Sequence, residues 1–342
     1  MIRKLLPILG VTFIDIIGFS MLIPMLPYFV THFGASPFTV GVLFGTFSLC
    51  QLVTAPLWGH VSDRFGRKRV LIISQIGATI GWAMLAFAPG IALVFVARII
   101  EGVSGGNISI TQAYVADLIE AKDRSRAFGL IGAMFGAGMV FGPFAGGLLF
   151  SHFGFAAPFL AAAALQLLTL LVTIVMLPES RARDDDEARV GLREILAVIK
   201  KPRLGRILWQ KLAISMGLYG WFSVISLYLQ RQLGFSLTQT DYFFSIFAVF
   251  NVFCNVFLVG RISSLLGDRT MSNASQGDRR MSNVGLVSLL GAFAYVPFVH
   301  NIGGLAVTMI LFSFGMALVN TGITALISNA ASDREQGVVL GT

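Results

Sequence analysis

Long apolar segments follow one another along almost the whole chain, and most have the length that a helix needs to cross a lipid bilayer, about 20 residues. The chain of 342 residues is 56% hydrophobic and 12% charged, with a mean hydropathy of +0.80. A soluble domain usually contains about 25% charged residues, so this chain has too little charge to cover a surface that faces water. We therefore predict an all-α membrane protein with about ten spanning segments, at residues 5–30, 38–61, 70–89, 91–115, 126–150, 155–178, 206–230, 238–262, 284–300 and 303–330.

The positions of the basic residues predict the orientation of these segments. With the N-terminus in the cytoplasm, all 25 Lys and Arg residues fall on cytoplasmic segments except Arg98, Lys211 and Arg231. This is the positive-inside bias of membrane proteins, so the net charge of +8 indicates topology rather than a nucleic-acid partner. We predict a multi-pass monomer in the lipid bilayer of the plasma (inner) membrane, with both termini cytoplasmic.

The cysteine and histidine residues show no pattern typical of a metal site. Cys50 and Cys254 lie inside apolar segments without C-x-x-C spacing, and the four histidines lie near loops without ligand spacing. There is also no nucleophile–base set and no cofactor-binding loop. We therefore predict no metal, no cofactor and no enzymatic activity.

A charged loop separates the second and third apolar segments. Residues 59–69, GHVSDRFGRKR, carry five full charges within seven positions, and hydrocarbon excludes such charge. The pattern G-x-x-x-D-R-x-G-R-K resembles the loop between helices 2 and 3 of major facilitator superfamily transporters. That resemblance implies a gating loop whose carboxylate meets helix 11 in the outward-facing state; a simple topology signal is the alternative. The predicted gating residues are Gly59, Asp63, Arg64, Gly66, Arg67 and Lys68.

The chain divides at a charged stretch after the sixth apolar segment, and the resemblance implies two pseudo-symmetric six-helix bundles. We predict an N-terminal bundle at 1–178, a cytoplasmic linker at 179–205, and a C-terminal bundle of about four helices at 206–342. Helices 11 and 12 of the family pattern are expected to be missing. The near-repeat of GDRTMSN (267–273) as GDRRMSN (277–283) is interpreted as a duplication that lengthens the loop between helices 8 and 9.

Three of the ionisable residues within apolar segments are candidates for proton coupling. Asp15 is near the middle of the first, and Arg98 and Glu101 share one face of the fourth because three residues separate them. A charge at the bilayer centre costs about 2.5–3.5 kcal/mol on insertion scales. We predict that Asp15 and Glu101 carry protons and that Arg98 tunes them. A structural carboxylate and a silent ion pair are the alternatives.

The fifth segment carries glycines at four-residue spacing. Gly138, Gly142 and Gly146 form one smooth face that admits a close neighbouring helix, and Pro143 favours a bend. Together with Gly147, the pattern G-x-x-x-G-P-x-x-G-G resembles the antiporter motif of drug exporters. G-x-x-x-G alone would indicate only packing.

The resemblance also implies a substrate pocket at mid-membrane between the halves. Aromatic and polar side chains at that depth suit an amphipathic molecule, and the candidates are Phe19, Asn107, Thr111, Gln112, Phe135, Tyr219, Trp221, Phe247 and Asn320. Tetracycline exporters carry acidic residues within helices 3 and 9. The corresponding stretches here, 71–88 and 284–298, contain none, which argues against export of a tetracycline–metal complex.

The sequence leaves three functional hypotheses. The favoured one is a secondary active transporter that exports a small amphipathic, drug-like molecule in exchange for protons by alternating access. The second is a sugar or metabolite facilitator or symporter, in which Asp15 is structural. The third is a truncated membrane fragment that does not transport. The predicted partners of the favoured hypothesis are a small-molecule substrate and protons.

Overall fold

The computed structural model describes residues 2–119, 121–179, 201–259, 261–262 and 274–330. In this part of the chain, nine helical stretches are long and apolar enough to cross a membrane. The α-helices are α1 (Ile2–His32), α2 (Pro37–Phe65), α3 (Arg67–Ala86), α4 (Ile91–Val103), α5 (Asn107–Leu118), α6 (Ala121–Phe153), α7 (Ala156–Met176), α8 (Pro202–Gln232), α9 (Leu237–Phe253), α10 (Ala274–Tyr295) and α11 (Ile302–Ala330).

The predicted fourth span, 91–115, is interrupted in the structure. Helix α4 ends at Val103 and α5 begins at Asn107, so residues 104–106 form a turn between helices of 13 and 12 residues. Each helix is too short to span a membrane alone, which is why nine stretches qualify among the described residues where ten were predicted. Two consecutive glycines, Gly105 and Gly106, weaken the helix at this point.

The predicted ninth span, 284–300, is longer than expected. Helix α10 begins at Ala274, so the second repeat copy, 277–283, is helical and the interpretation of that copy as loop is wrong. The first copy, 267–273, lies outside the described residues. The polar start of α10 packs closely on α11, where a Cβ added to Gly322 would lie 2.9 Å from the Asp278 carbonyl oxygen. The longer helix includes Asp278, so the expected absence of acidic residues from this helix is also wrong.

The chain forms two compact units. The first contains the described residues before residue 188 together with Gly220–Ser245. In it, α1 packs along α6 and α7, α3 packs on α7, and α2 packs on α4. Its apolar cores are built around Met21, Met25 and Phe159, and around Leu5 and Leu71.

The second unit contains residues 201–219 and the described residues from 246 onward. Its principal contact is between α10 and α11. Gly285 and Gly315 allow the two helices to approach closely, because a Cβ on either glycine would lie within 2.8 Å of the other's carbonyl oxygen. Helix α9 continues as a π-helical turn at Cys254–Leu258.

The predicted linker, 179–205, lies mostly outside the described residues. Its last residues are helical, because α8 begins at Pro202. The units also differ from the predicted boundaries in that Gly220–Ser245 belongs to the first. The division into bundles at 1–178 and 206–342 therefore stays a prediction.

Candidate functional site

A buried ion pair lies on α4. Arg98 and Glu101 form a salt bridge, and only 2% and 5% of these residues are exposed. The Arg98 guanidinium carbon lies 4.9 Å from the ring centroid of Phe47 and 6.0 Å from that of Trp82. The cation is therefore enclosed by a carboxylate and two aromatic faces, the arrangement that a charge needs away from water.

Two glycines make room for this pair. A Cβ on Gly81 of α3 would overlap the Glu101 Cγ atom. A Cβ on Gly102 would come within 2.7 Å of the Phe47 carbonyl oxygen. Helices α2 and α3 can approach α4 this closely only because both positions lack a side chain.

Asp15 lies at the meeting point of α1, α5 and α7. Its Oδ2 accepts a hydrogen bond of 3.2 Å from Asn107 Nδ2, and the polar side chains of Gln166 and Thr169 lie beside it. Its Oδ1 is buried and has no hydrogen-bond partner among the described residues. No hydrogen bond or ion pair in this part of the chain joins Asp15 to Arg98 or Glu101, so the predicted proton carriers form two separate centres.

The turn at residues 104–106 borders the Asp15 centre. Ser74 Oγ of α3 contacts Asn107 Oδ1 at 2.5 Å and also donates to the Ser104 carbonyl oxygen. Three side chains of α2 donate to the other carbonyls of the break: Gln51 to Gly105 at 3.0 Å, Thr54 to Gly102 at 3.2 Å, and Trp58 to Val103 at 2.5 Å. A backbone break at membrane depth is tolerated when neighbours satisfy its polar groups in this way.

Sequence reasoning missed these three α2 residues. Gln51, Thr54 and Trp58 are spaced i, i+3, i+7, which places them on one face of a helix. A polar stripe on an otherwise apolar helix was the available signal.

The predicted pocket residues of the first unit lie in different surroundings. The Phe19 ring lies 6.2 Å from that of Phe47, which also covers Arg98. On α5, Asn107 binds Asp15, Thr111 is buried and Gln112 is half-buried. In contrast, Phe135 on α6 is 40% exposed, and Trp221 on α8 is half-buried.

The predicted pocket residues of the second unit have different surroundings from one another. Tyr219 is 64% exposed, Asn320 is exposed, and Phe247 packs on Phe312 with ring centroids 5.5 Å apart. A cavity of about 600 Å³ in this unit lies between α8, α10 and α11. Its lining, which includes none of the nine predicted residues, consists of Pro202, Arg206, Ile207, Gln210, Ala213, Ile214, Arg279, Ser282, Asn283, Leu286, Ile323 and Leu326.

The predicted gating residues surround a tight turn between α2 and α3. Gly66 ends α2 with a φ of +97°, and its N–H donates to the Ser62 carbonyl oxygen at 3.1 Å. Arg67 forms an ion pair of 3.1 Å with Asp117 of α5 and donates to Ser62 Oγ at 2.6 Å. Arg64 is exposed, with its guanidinium carbon 5.8 Å from the Phe65 ring centroid. The loop is therefore fixed to the end of α5.

The remaining predicted gating residues lie on either side of this turn. Gly59 and Asp63 are within α2, and the Asp63 side chain is outside the described part of the structure. Glu179 Oε1 accepts a hydrogen bond of 3.0 Å from the Lys68 N–H, and Lys68 Nζ donates to the Ile174 carbonyl oxygen at 2.7 Å. Glu179 thus places a negative charge at the N-terminus of α3, where the helix dipole favours it. Sequence reasoning missed this role.

We expect Gly66→Ala to destabilise the protein by about 1–2 kcal/mol, since a side chain is strained at this positive φ. Its Cβ would also lie 2.5 Å from Glu179 Oε1. The matched control is Gly59→Ala, because a Cβ there meets nothing within 4 Å. Thermal unfolding in detergent measures the difference, and equal midpoints for the two variants would contradict the prediction.

The glycines of α6 face two different neighbours. Gly138, Gly142 and Gly146 face α1, where an added Cβ would lie 2.7 Å from Ile16 Cγ2, 2.6 Å from the Ile17 carbonyl oxygen and 2.6 Å from Met21 Cγ. Gly147 faces Asp241 of α9, whose Cβ would lie 2.9 Å from the added atom. Pro143 is buried within α6.

Known proteins resemble this chain over most of its length. The model of the Major Facilitator Superfamily matches residues 8–342. The class C tetracycline resistance protein of Escherichia coli is 41% identical over 181 residues, which are 52% of this chain and 46% of that protein. Multidrug resistance protein 2 of Bacillus subtilis (strain 168) is 28% identical over 96% of this chain and 81% of its own length.

A solved structure shows the same fold. The bacterial homologue of the human lysosomal transporter Spinster, in an inward-facing and unoccupied conformation, aligns with a TM-score of 0.80. The alignment covers 99% of this chain and 77% of that one, at 15% sequence identity. The likeness therefore concerns the fold alone.

Proposed function

The chain belongs to the major facilitator superfamily, and from this premise we propose that it exports a small amphipathic, drug-like molecule in exchange for protons by alternating access. It is an integral, multi-pass membrane transporter of small molecules and not an enzyme. The predicted family and all-α fold are thereby confirmed. Tetracycline and multidrug resistance relatives support the drug-like class of substrate.

The observation that carries proton exchange is the buried Arg98–Glu101 pair on α4. Protonation of Glu101 removes the partner of Arg98 and leaves a cation among the rings of Phe47 and Trp82. An unpaired buried cation is costly, so the helices around α4 then favour another arrangement. Asp15 supports the proposal as a second carrier, because Asn107 joins it to the break beside α4.

The proposal includes the orientation of the chain. We infer that both termini face the cytoplasm and that the protein resides in the plasma (inner) membrane. The distribution of basic residues supports this orientation. We further propose that the Gly59–Lys68 segment gates the inner side and that α6 supplies the hinge or seal.

The test is transport of ethidium, an amphipathic cationic dye, by the full chain in proteoliposomes with an imposed pH gradient. We expect the wild-type protein to concentrate the dye against its gradient and an ionophore to abolish this. Asp15→Asn and Glu101→Gln each remove a titratable group without changing its shape. We expect both variants to lose gradient-driven accumulation and to keep exchange of dye across the membrane at equal pH.

The control variant is Asp185→Asn, which removes a carboxylate from the charged stretch between the predicted bundles. It should accumulate dye as the wild type does. Accumulation by Asp15→Asn and Glu101→Gln would refute these two residues as carriers. Wild-type dye exchange that ignores the pH gradient would instead indicate a facilitator, and dye binding without movement would indicate a chain that does not transport.

A further inference from the structure

A carboxylate that the transport proposal does not use is buried in the first unit. Asp241 lies one turn into α9 and has no exposed surface. Both of its side-chain oxygens are buried without a hydrogen-bond partner among the described residues. It forms no ion pair in this part of the chain. Of the buried carboxyl groups described here, Asp241 is thus the one with neither oxygen satisfied.

The contact around Asp241 involves three helices. On α6, a Cβ added to Gly147 would lie 2.9 Å from the Asp241 Cβ and 3.2 Å from its Oδ2. On α1, Tyr28 lies within electrostatic range of Asp241. The Tyr28 hydroxyl, however, pairs with Thr240 Oγ1 at 2.7 Å and donates to the Phe235 carbonyl oxygen at 2.9 Å. Tyr28 therefore connects α1 to α9 without forming a hydrogen bond to the Asp241 carboxyl group.

The other titratable or charged groups on these elements also leave Asp241 unpaired. His152 of α6 is exposed and contacts Ser151 and the Leu148 carbonyl oxygen. Arg231 at the end of α8 is exposed, and Tyr242 packs its ring on Phe144 at 5.8 Å. Because neither carboxyl oxygen of Asp241 has a hydrogen-bond partner among the described residues, His32, Tyr228 and the other described titratable groups of these helices are not bonded to it either.

An ionised carboxylate in such a place would lack both water and a counter-charge. Burying an unpaired charge costs far more than burying a neutral carboxylic acid. We propose that Asp241 is a proton-binding site, with its carboxyl group protonated while α9 packs against α1 and α6, and ionised when this contact opens to water. On opening, the O–H bond of the carboxyl group breaks and the proton passes to a water molecule. On closing, the carboxylate takes a proton back from water.

Gly147 creates this site. The two consecutive glycines of α6 serve different neighbours, since Gly146 accommodates Met21 of α1 and Gly147 accommodates Asp241. A side chain at 147 would push α9 away and admit water to the carboxyl group. The site rests on the proposed function only in the sense that Asp241 would be a third proton carrier beside Asp15 and Glu101.

The experiment is infrared spectroscopy of the purified full chain at a series of pH values, read at the C=O stretch of protonated carboxyl groups. Difference spectra are taken between the wild type and Asp241→Asn, which has the shape of the protonated acid. We expect a carboxylic acid band at neutral pH that this variant lacks. Asp185→Asn is the control and should retain the band.

A second pair of variants tests the geometry without removing the acid. Gly147→Ala should lose the Asp241 band at neutral pH, because the opened contact ionises the carboxyl group. Gly132→Ala should keep it, since a Cβ there meets nothing within 4 Å. Thermal unfolding verifies that both variants are folded; if Gly147→Ala is not, the Asp241→Asn difference decides alone.

The outcomes separate this proposal from the transport proposal. A wild-type spectrum identical to that of Asp241→Asn at neutral pH would show an ionised Asp241 and overturn the inference, whatever the dye measurement gives. A band that Gly147→Ala retains in a folded protein would overturn the role of the contact. An Asp241 band in a protein that ignores the pH gradient would support the site and refute proton exchange.

Discussion

Replacing Glu101 by alanine destabilises the protein by about 3–5 kcal/mol, the cost of breaking a buried ion pair from one side. Arg98 is 2% exposed and its Nε already lacks a hydrogen-bond partner among the described residues. Without Glu101, its charge rests on the faces of Phe47 and Trp82 alone. Aromatic contacts of this kind contribute about 2 kcal/mol when desolvated, so they cannot replace the carboxylate. Denaturant titration in mixed micelles measures the loss.

The double variant Arg98→Met with Glu101→Leu is the control for this prediction. It removes both charges and keeps most of the volume, so we expect it to be less destabilised than Glu101→Ala. Together, the two stability measurements distinguish the cost of an unpaired buried charge from the cost of a cavity. If the double variant lost as much stability as Glu101→Ala, packing rather than charge would explain the effect.

Replacing Gly142 by valine separates α6 from α1. The first added carbon would already overlap Ser20 Oγ and lie 2.6 Å from the Ile17 carbonyl oxygen. Because a backbone oxygen cannot rotate away, the helices must move apart. Overpacking of this kind costs about 1–3 kcal/mol, occasionally more. It would also break the 2.9 Å hydrogen bond from Ser20 Oγ to the Gly138 carbonyl oxygen.

The matched control is Gly132→Val, ten residues earlier on the same helix. Its new side chain meets nothing within 4 Å at the Cβ position, while the change in helix propensity is the same. We expect the Gly142 variant to have the lower thermal midpoint. Equal midpoints would mean that α1 and α6 are not packed as described.

Much of this arrangement could be predicted because membrane insertion leaves strong sequence signals. The spacing of Gly138, Gly142 and Gly146 marked the face of α6 that packs on α1, and the three-residue spacing of Arg98 and Glu101 indicated their pairing. These features depend on positions within one helix. Periodicity alone is enough to recognise them.

The parts that sequence reasoning missed depend on contacts between distant helices. A Gly-Gly pair is compatible with packing or with a break, and the break at 104–106 is favoured by donors of α2 and α3 that lie 30 to 54 residues away along the chain. Asp241 lies near the start of an apolar segment, where a charge normally reaches water. Its burial depends on Gly147 of a different helix.

Helix α2 takes part in two structural features, and a movement of one must affect the other. Its end forms the turn at Gly66, and its middle holds the carbonyls of the α4–α5 break through Gln51, Thr54 and Trp58. If α2 slid along its axis, either these three hydrogen bonds would break or the start of α5 would move with α2. Since Asn107 begins α5 and binds Asp15, such a slide would transmit the position of the turn at Gly66 to the Asp15 carboxyl group.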